Sequence, residues 1–195
     1  MTRRIAVLQG HPDSKTTHFG HALSRAYADA AEKAGHDVRV IEIGKLDYPL
    51  LRSKLEWQKI DIPDALIEAQ HNLLWADHWA VFYPMWLGDM PAALKGFFEQ
   101  VLRPGLAHID TGPGEKWEKL LLGKSARIVV TMAMPEAVYR LIYGAHTVKS
   151  LERNIFKYCG IDPVRTTMIG SVYKRTQAQR EKAIKKVSGL GRKGI

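Results

Sequence analysis

Apolar residues follow two alternating patterns along the chain. Five short apolar runs predict buried strands, and each is followed by apolar residues at three- and four-residue spacing, which is typical of an amphipathic helix. Strands that alternate with helices predict a three-layer α/β fold with a five-stranded parallel sheet and right-handed crossovers. The predicted strands are 4–9, 38–43, 78–83, 126–131 and 164–172, and the predicted helices are 19–34, 63–74, 91–102, 136–158 and 177–187.

The loop after the third predicted strand carries large apolar side chains. Pro84 ends that strand, Pro91 suits the first turn of the next helix, and residues 85–90 between them read Met-Trp-Leu-Gly-Asp-Met. Large apolar side chains are normally shielded from water, and the core, a second subunit or a ligand could shield these. Because open α/β sheets bind ligands at the carboxyl ends of their strands, the loop is a candidate platform for a flat ligand.

The loop after the first predicted strand, residues 10–18, ends where a helix begins. Unpaired amides and the helix dipole favour an anion there, although Thr16 or Thr17 can also simply cap the helix. In the sheet order 2-1-3-4-5, strands one and three are neighbours, so the two loops are expected side by side at the topological switch point. A phosphate at one loop and a ring system at the other describe a flavin nucleotide.

Length and composition indicate one soluble domain spanning residues 1–195. The chain is 46% hydrophobic and 25% charged, and it has no apolar run of about 18 residues that would span a bilayer. The apolar segment after Arg4 is too short for a signal sequence, which predicts a cytoplasmic protein. The single cysteine, Cys159, is expected in the core.

Most of the net charge of +9 comes from the last residues of the chain. Residues 173–195 hold eight Lys or Arg and one Glu, which makes +7. The rest of the chain is nearly balanced, so no basic face is predicted and nucleic acid is not an expected partner. We expect a basic C-terminal helix with a frayed end, and a polyanion contact is the weaker alternative.

Three segments resemble the flavodoxin-like NAD(P)H:quinone oxidoreductase family, whose members also include ancillary potassium-efflux regulators. Residues 10–12, Gly-His-Pro, with 19–23, Phe-Gly-His-Ala-Leu, resemble the flavin-phosphate loop of that family. Residues 84–98 resemble its most specific motif, Pro-Leu-x-Trp-Phe-x-x-Pro-Ala-x-Leu-Lys-Gly-Trp, and residues 139–146 resemble a Tyr and His pair near the flavin.

The resemblance implies a bound flavin, with FAD slightly favoured over FMN, and NAD(P)H as co-substrate. Hydride would pass from NAD(P)H through the flavin to a quinone or similar acceptor with ping-pong kinetics, and a homodimer would complete the site. The implied flavin-binding residues are His11, Thr16, Thr17, His18, Phe19, Pro84, Met85, Trp86, Leu87, Gly88, Thr131, Met132 and Ala133.

The implied catalytic groups are His146 and a tyrosine, either Tyr139 or Tyr143. The alternative function is a flavin-binding regulatory subunit of a potassium-efflux transporter, in which any membrane contact would come through that partner or through diffusible quinones. The sequence lacks the Gly-x-Gly-x-x-Gly of nicotinamide-binding dehydrogenases and the Gly-x-Ser-x-Gly of many hydrolases. No metal site is expected, because His18 and His21 have no apparent third ligand.

Overall fold

A five-stranded parallel sheet forms the centre of the molecule. The computed structural model describes residues 2–58, 61–109 and 118–195. The sheet order is β2-β1-β3-β6-β7, which confirms the predicted order 2-1-3-4-5. A separate antiparallel pair, β4 and β5, lies between residues 103 and 124 of the chain. The strands are β1 Arg4–Gln9, β2 Asp37–Glu42, β3 His78–Pro84, β4 His108–Ile109, β5 Glu118–Lys119, β6 Ser125–Thr131 and β7 Val164–Ile169.

Helices cover both faces of the sheet, as the sequence predicts for a three-layer fold. Helices α1 and α8 pack on one face around Tyr27 and Phe82, and α3 and α4 pack on the other around Trp79 and Phe97. Both faces are therefore buried, which explains why the central strands are continuous apolar runs. The helices are α1 Phe19–Lys33, α2 Lys54–Gln58, α3 Asp64–Trp75, α4 Ala92–Val101, α5 Glu136–Leu141, α6 His146–Ser150, α7 Lys157–Cys159 and α8 Gln177–Lys193.

The single helix predicted over 136–158 is broken. Helix α5 ends at Leu141, and Gly144 and Ala145 then adopt left-handed backbone conformations with φ of 60° and 51°. A right-handed helix cannot continue through such residues. Helix α6 starts afresh at His146, and a π-helical segment, Leu151–Phe156, joins it to α7.

The C-terminal end is not frayed, contrary to the sequence-based expectation. Helix α8 continues to Lys193 and packs along α1. Gly191 allows this approach, because a Cβ at that position would lie 2.2 Å from the backbone oxygen of Tyr27. Arg3 Nη1 donates a hydrogen bond of 3.1 Å to the carbonyl of Gly194 and ties the end of the helix to the sheet.

Two further boundaries differ from the prediction. Strand β7 ends at Ile169, short of the predicted Val172, because Ser171 takes a left-handed conformation with φ of 54° and starts a 3₁₀ turn. Ile43 likewise belongs to a 3₁₀ turn, Ile43–Lys45, after β2. Cys159 is buried as expected, and burial raises the pKa of its thiol to about 11.

Candidate ligand site at the carboxyl edge of the sheet

The loops that follow β1 and β3 lie against each other. Strands β1 and β3 are hydrogen-bonded neighbours, with Gln9 in register with Phe82. The rings of His11 and Trp86, one from each loop, meet edge to face with centroids 5.4 Å apart. The structure therefore brings together the two loops that the sequence singled out.

The loop after β3 is a tight two-residue turn. The amide of Trp86 donates to the carbonyl of Asp89 at 2.8 Å, and the amide of Asp89 donates back to Trp86 at 2.9 Å. Leu87 and Gly88 between them have φ of 45° and 85°, the left-handed pair that a type I′ turn requires. Leucine is an unusual choice for this conformation, which Asn, Asp or Gly adopt with less strain. We call residues 86–89 the platform turn.

The platform turn presents apolar surface to solvent. Trp86 is 48% exposed, and Leu87 is fully exposed. The base of the turn is fixed, because Pro84 pairs in register with Thr131 and the amide of Met85 donates to the carbonyl of Thr131 at 2.7 Å. A rigid turn that holds two large apolar side chains in water is suited to contact a flat apolar ligand.

The residues after β6 contribute unequally to this edge. Thr131 is buried at the end of the strand beside Met85. The side chain of Met132 belongs to the core, and its amide and carbonyl are bonded to Ile169 and Val172. Ala133 is exposed. Met132 therefore has no group free to face a ligand.

Asp13 organises the loop after β1. Its carboxylate accepts hydrogen bonds from the Thr16 hydroxyl and from the amide of Lys15, the latter at 2.8 Å, and it lies 2.8 Å from His18 Nε2. The hydrogen bonds from Thr16 and His18 and from the Lys15 amide hold the pKa of Asp13 well below its usual range. The loop is thus internally bonded up to the start of α1.

Three histidine rings cluster where this loop enters α1. His11 is buried and stacks on His18 with centroids 3.8 Å apart, and His21 meets the edge of His11 at 5.3 Å. Burial, assisted by the neighbouring His18 and His21, lowers the pKa of His11 to about 4. Burial and His18 also lower the pKa of His21. His11 is therefore neutral near pH 7, and an anion bound beside the cluster would favour its protonation.

Backbone amides remain available beside the histidine cluster. The amides of Phe19 and Gly20 lie in the first turn of α1 and therefore have no acceptor within the helix. Among the described residues, the amides of Thr17, Phe19 and Gly20 also have no hydrogen-bond acceptor elsewhere. The ring of Phe19 itself lies 5.2 Å from the Arg180 guanidinium, so Phe19 serves this edge through its amide. Free amides at a helix start fit a phosphate, and the platform turn next to them fits an aromatic ring. The residues present therefore suit a flavin nucleotide.

The two candidate tyrosines differ in what their hydroxyls do. Tyr139 is buried, and its hydroxyl lies 2.6 Å from Thr147 Oγ1 and accepts a bond of 3.3 Å from the amide of Val148. Tyr143 is 54% exposed and lies in the break between α5 and α6, and the exposed His146 begins α6. The Tyr139 hydroxyl thus fixes the start of α6, while Tyr143 is accessible.

Three residues of this edge escaped the sequence-based site prediction. Gln9 is buried at the end of β1 and accepts a bond of 2.7 Å from the amide of His11. Asp13 orders the loop, and His21 accepts from the amide of His18 at 3.2 Å. The Asp-x-Lys-Thr order of residues 13–16 was the available signal, because Asp side chains commonly bond to backbone amides two or three residues later.

Within residues 2–58, 61–109 and 118–195, no three His, Cys, Asp or Glu side chains are grouped closely enough to hold a metal ion. In the same part of the chain, no helix is both long and apolar enough to cross a membrane.

The fold defines a doubly wound α/β protein, and the two loops place its candidate ligand site at the switch point of the sheet. A family model described as flavodoxin-like fold matches residues 3–190, and the chain belongs to that family. A Haemophilus influenzae protein called an uncharacterized NAD(P)H oxidoreductase is 27% identical over 174 residues, which is 86% of this chain and 83% of that protein. These matches confirm the family resemblance drawn from the sequence.

Solved structures share the fold at lower sequence identity. The NAD(P)H:quinone oxidoreductase of Methanothermobacter marburgensis superimposes with a TM-score of 0.79 at 20% identity, covering 98% of this chain and 96% of that one. An FMN-dependent NADH-azoreductase of Bacillus anthracis, solved in complex with FMN, gives a TM-score of 0.79 at 12% identity and covers 99% of both chains. At these identities the likeness establishes the fold.

Proposed function

We propose that this protein is a flavin-dependent NAD(P)H oxidoreductase that reduces a quinone or a similar acceptor. The observation that carries the proposal is the contact between the platform turn and the loop before α1, which sets an exposed apolar surface beside free amides. The names of the Haemophilus, Methanothermobacter and Bacillus proteins support the same class of reaction. FMN and FAD both contain the ring and the phosphate that these loops fit.

Each loop would hold a different part of the cofactor. Trp86 and Leu87 would lie against the ring, with the main chain of residues 85–88 along its edge. The amides of Thr17, Phe19 and Gly20 and the three clustered histidines would bind the phosphate. The bound flavin would supply hydride transfer, and the protein would orient the reactants and exclude water from them.

Residues between α5 and α6 and at the start of α6 would supply protons during the reaction. We assign this role to Tyr143 and His146, because both are exposed there, whereas the Tyr139 hydroxyl is occupied by Thr147 and Val148. A phenol or an imidazole beside the cofactor can stabilise negative charge that develops on reduction or protonate the acceptor. Tyr139 then acts as a positioning residue that fixes the start of α6.

A homodimer is part of the proposal. Leu141 at the end of α5 is 84% exposed, Ile142 just after it is 75% exposed, and Leu87 is fully exposed. Exposed apolar side chains of this size are typical of an interface, and a second copy of the chain would cover them.

Two separate half-reactions test this function. Under anaerobic conditions, NADH or NADPH should bleach the flavin absorption of the holoprotein, and a quinone added after removal of the nucleotide should restore it. Trp86→Ala should lose flavin about tenfold more readily, while Trp86→Phe should retain most of the affinity. Flavin that binds but is not reduced by either nucleotide would contradict the enzymatic function and favour the regulatory-subunit alternative.

A further inference from the structure

A second polar cluster lies at the opposite edge of the sheet, beneath α1 and α8. His78 and Ser125 begin β3 and β6 and are in register, and Arg127 and Arg165 are paired residues of β6 and β7 on the same sheet face. Arg3, just before β1, reaches Ser125 Oγ at 3.3 Å. We call Arg3, His78, Arg127 and Arg165 the basic cluster.

The basic cluster has no acidic counterpart among the described residues. The charged and titratable groups that act on the Arg127 guanidinium are Tyr27 and Arg165, and neither is a carboxylate. The described ion pairs leave Arg3, Arg127 and Arg165 without a carboxylate partner. Arg127 is buried, Arg3 is partly buried and Arg165 is exposed. Positive charges that share one sheet face repel one another unless an anion neutralises them.

Three buried polar atoms in this region have no hydrogen-bond partner: Tyr27 Oη, His78 Nε2 and Arg127 Nε. The exposed fractions of these residues are 0%, 1% and 7%. An unpaired buried donor destabilises the fold, so three of them in one region indicate that an acceptor binds there.

The hydrogen bonds indicate that all three atoms are donors. Ser125 Oγ accepts from Arg3 Nη1, so its own hydrogen is left for His78 Nδ1, which lies 2.8 Å away. That assignment puts the imidazole hydrogen of His78 on Nε2. Burial and the nearby Arg3, Arg127 and Arg165 lower the pKa of His78 to about 3, which keeps the ring neutral with a single N–H. The Tyr27 hydroxyl and Arg127 Nε–H are the other two donors.

We propose that the basic cluster and Tyr27 form a binding site for a small inorganic oxyanion of the phosphate or sulfate class. Arg127 Nε–H, His78 Nε2–H and the Tyr27 hydroxyl bind its oxygens, and Arg3 and Arg165 supply further positive charge. Tyr27 and the residues of α1 and α8 that pack around it cover this face of the sheet, so we expect room for a compact anion and none for a nucleotide. Arg165 is exposed at the outer strand β7 and marks the side from which the anion enters.

This site is distinct from the proposed flavin site, which lies at the carboxyl ends of the strands. An anion here ties β3, β6 and β7 to Tyr27 on α1. Its binding would therefore stabilise the packing of α1 on the sheet without touching the cofactor loops.

Side-chain NMR tests the site directly. The Arg127 Nε–H resonance should shift saturably when inorganic phosphate is added at constant ionic strength, and the affinity should fall about tenfold in Arg165→Gln, which removes one charge from an exposed position. Arg153→Gln, an exposed arginine elsewhere, is the matched control and should bind phosphate as the native chain does.

A second variant removes the buried hydroxyl group of Tyr27. Tyr27→Phe removes one donor, so it should weaken phosphate binding while leaving the anion-free protein at least as stable, since an unpaired buried hydroxyl is lost. General stabilisation by excluded salts would affect all variants equally. The proposal is overturned if the Arg127 signal does not shift saturably, if Arg165→Gln binds phosphate as tightly as Arg153→Gln, or if AMP binds as tightly as free phosphate.

Discussion

Leu87 combines full exposure with a left-handed backbone at the tip of the platform turn. A bulky residue in that conformation costs about 1 kcal/mol or more. We expect Leu87→Asn to raise the free energy of unfolding by about 1 kcal/mol and to weaken flavin binding, because Asn tolerates the backbone but loses the apolar contact. Urea unfolding and flavin titration measure the two effects, and unchanged flavin affinity would show that Leu87 does not contact the ring.

We expect the histidine cluster to make the proposed binding of the flavin phosphate sensitive to pH. In the free protein the pKa values of His11 and His21 are lowered, to about 4 for His11. A bound phosphate raises both pKa values, so binding takes up protons and flavin affinity should rise as pH falls from about 8 to 5.

His21→Gln tests this linkage, because glutamine can still accept the hydrogen bond from the amide of His18 but cannot be protonated. The dependence of flavin affinity on pH should become shallower than in the control His71→Gln, whose side chain lies on the exposed surface of α3. The ionisation of the flavin phosphate affects both variants equally, so it cancels when their pH profiles are compared. Equal pH profiles for the two variants would exclude His21 from phosphate binding.

Substitutions of Tyr143 and Tyr139 should distinguish a catalytic role from a structural role. Tyr143→Phe should slow flavin reduction or quinone turnover about a hundredfold with unchanged stability, since it removes an exposed proton donor. Tyr139→Phe should lower the free energy of unfolding by about 1 kcal/mol, because Thr147 and the Val148 amide lose their partner. Stopped-flow rates and urea unfolding distinguish these outcomes, and the reverse pattern would move the catalytic role to Tyr139.

At the scale of elements, the sequence predicted the sheet strands and α1, α3 and α4 well. Their signals are local, since a strand buried on both faces must be apolar along its length and a helix on the sheet must carry one apolar stripe. The break after α5 has no such signal. It depends on left-handed conformations at Gly144 and Ala145, and alanine is a residue that favours helix.

The end of α8 was mispredicted for a related reason. Three glycines in 188–195 suggested a frayed helix, yet Gly191 is the point where α8 touches the backbone of α1. A glycine that permits close packing cannot be distinguished by sequence from one that ends a helix.

This contact yields a prediction at the scale of the two helices. Gly191→Ala should lower the free energy of unfolding by about 2 kcal/mol, because the added Cβ would lie 2.2 Å from Tyr27 O. Gly189→Ala in the same helix is the control, since its Cβ would meet nothing within 4 Å, and it should gain up to about 1 kcal/mol from helix propensity. Equal effects in urea unfolding would mean that α8 does not pack closely on α1.

For the whole molecule, the position of the site followed from topology. Strand order 2-1-3-4-5 puts the loops after β1 and β3 together, and the His11–Trp86 contact is where they meet. The sequence could not predict the histidine stack or the occupied Tyr139 hydroxyl, because both depend on side-chain packing between segments. It also gave no sign of the basic cluster, whose members come from four separate strands or strand edges.

The visible absorption spectrum of the purified protein tests the central claim most directly. We predict a yellow protein with flavin bands, one flavin per chain on release, and bleaching by NADH or NADPH without oxygen. Mass measurement of the released cofactor would identify it as FMN or FAD. A colourless protein that takes up neither flavin on reconstitution would contradict the account and leave only the fold.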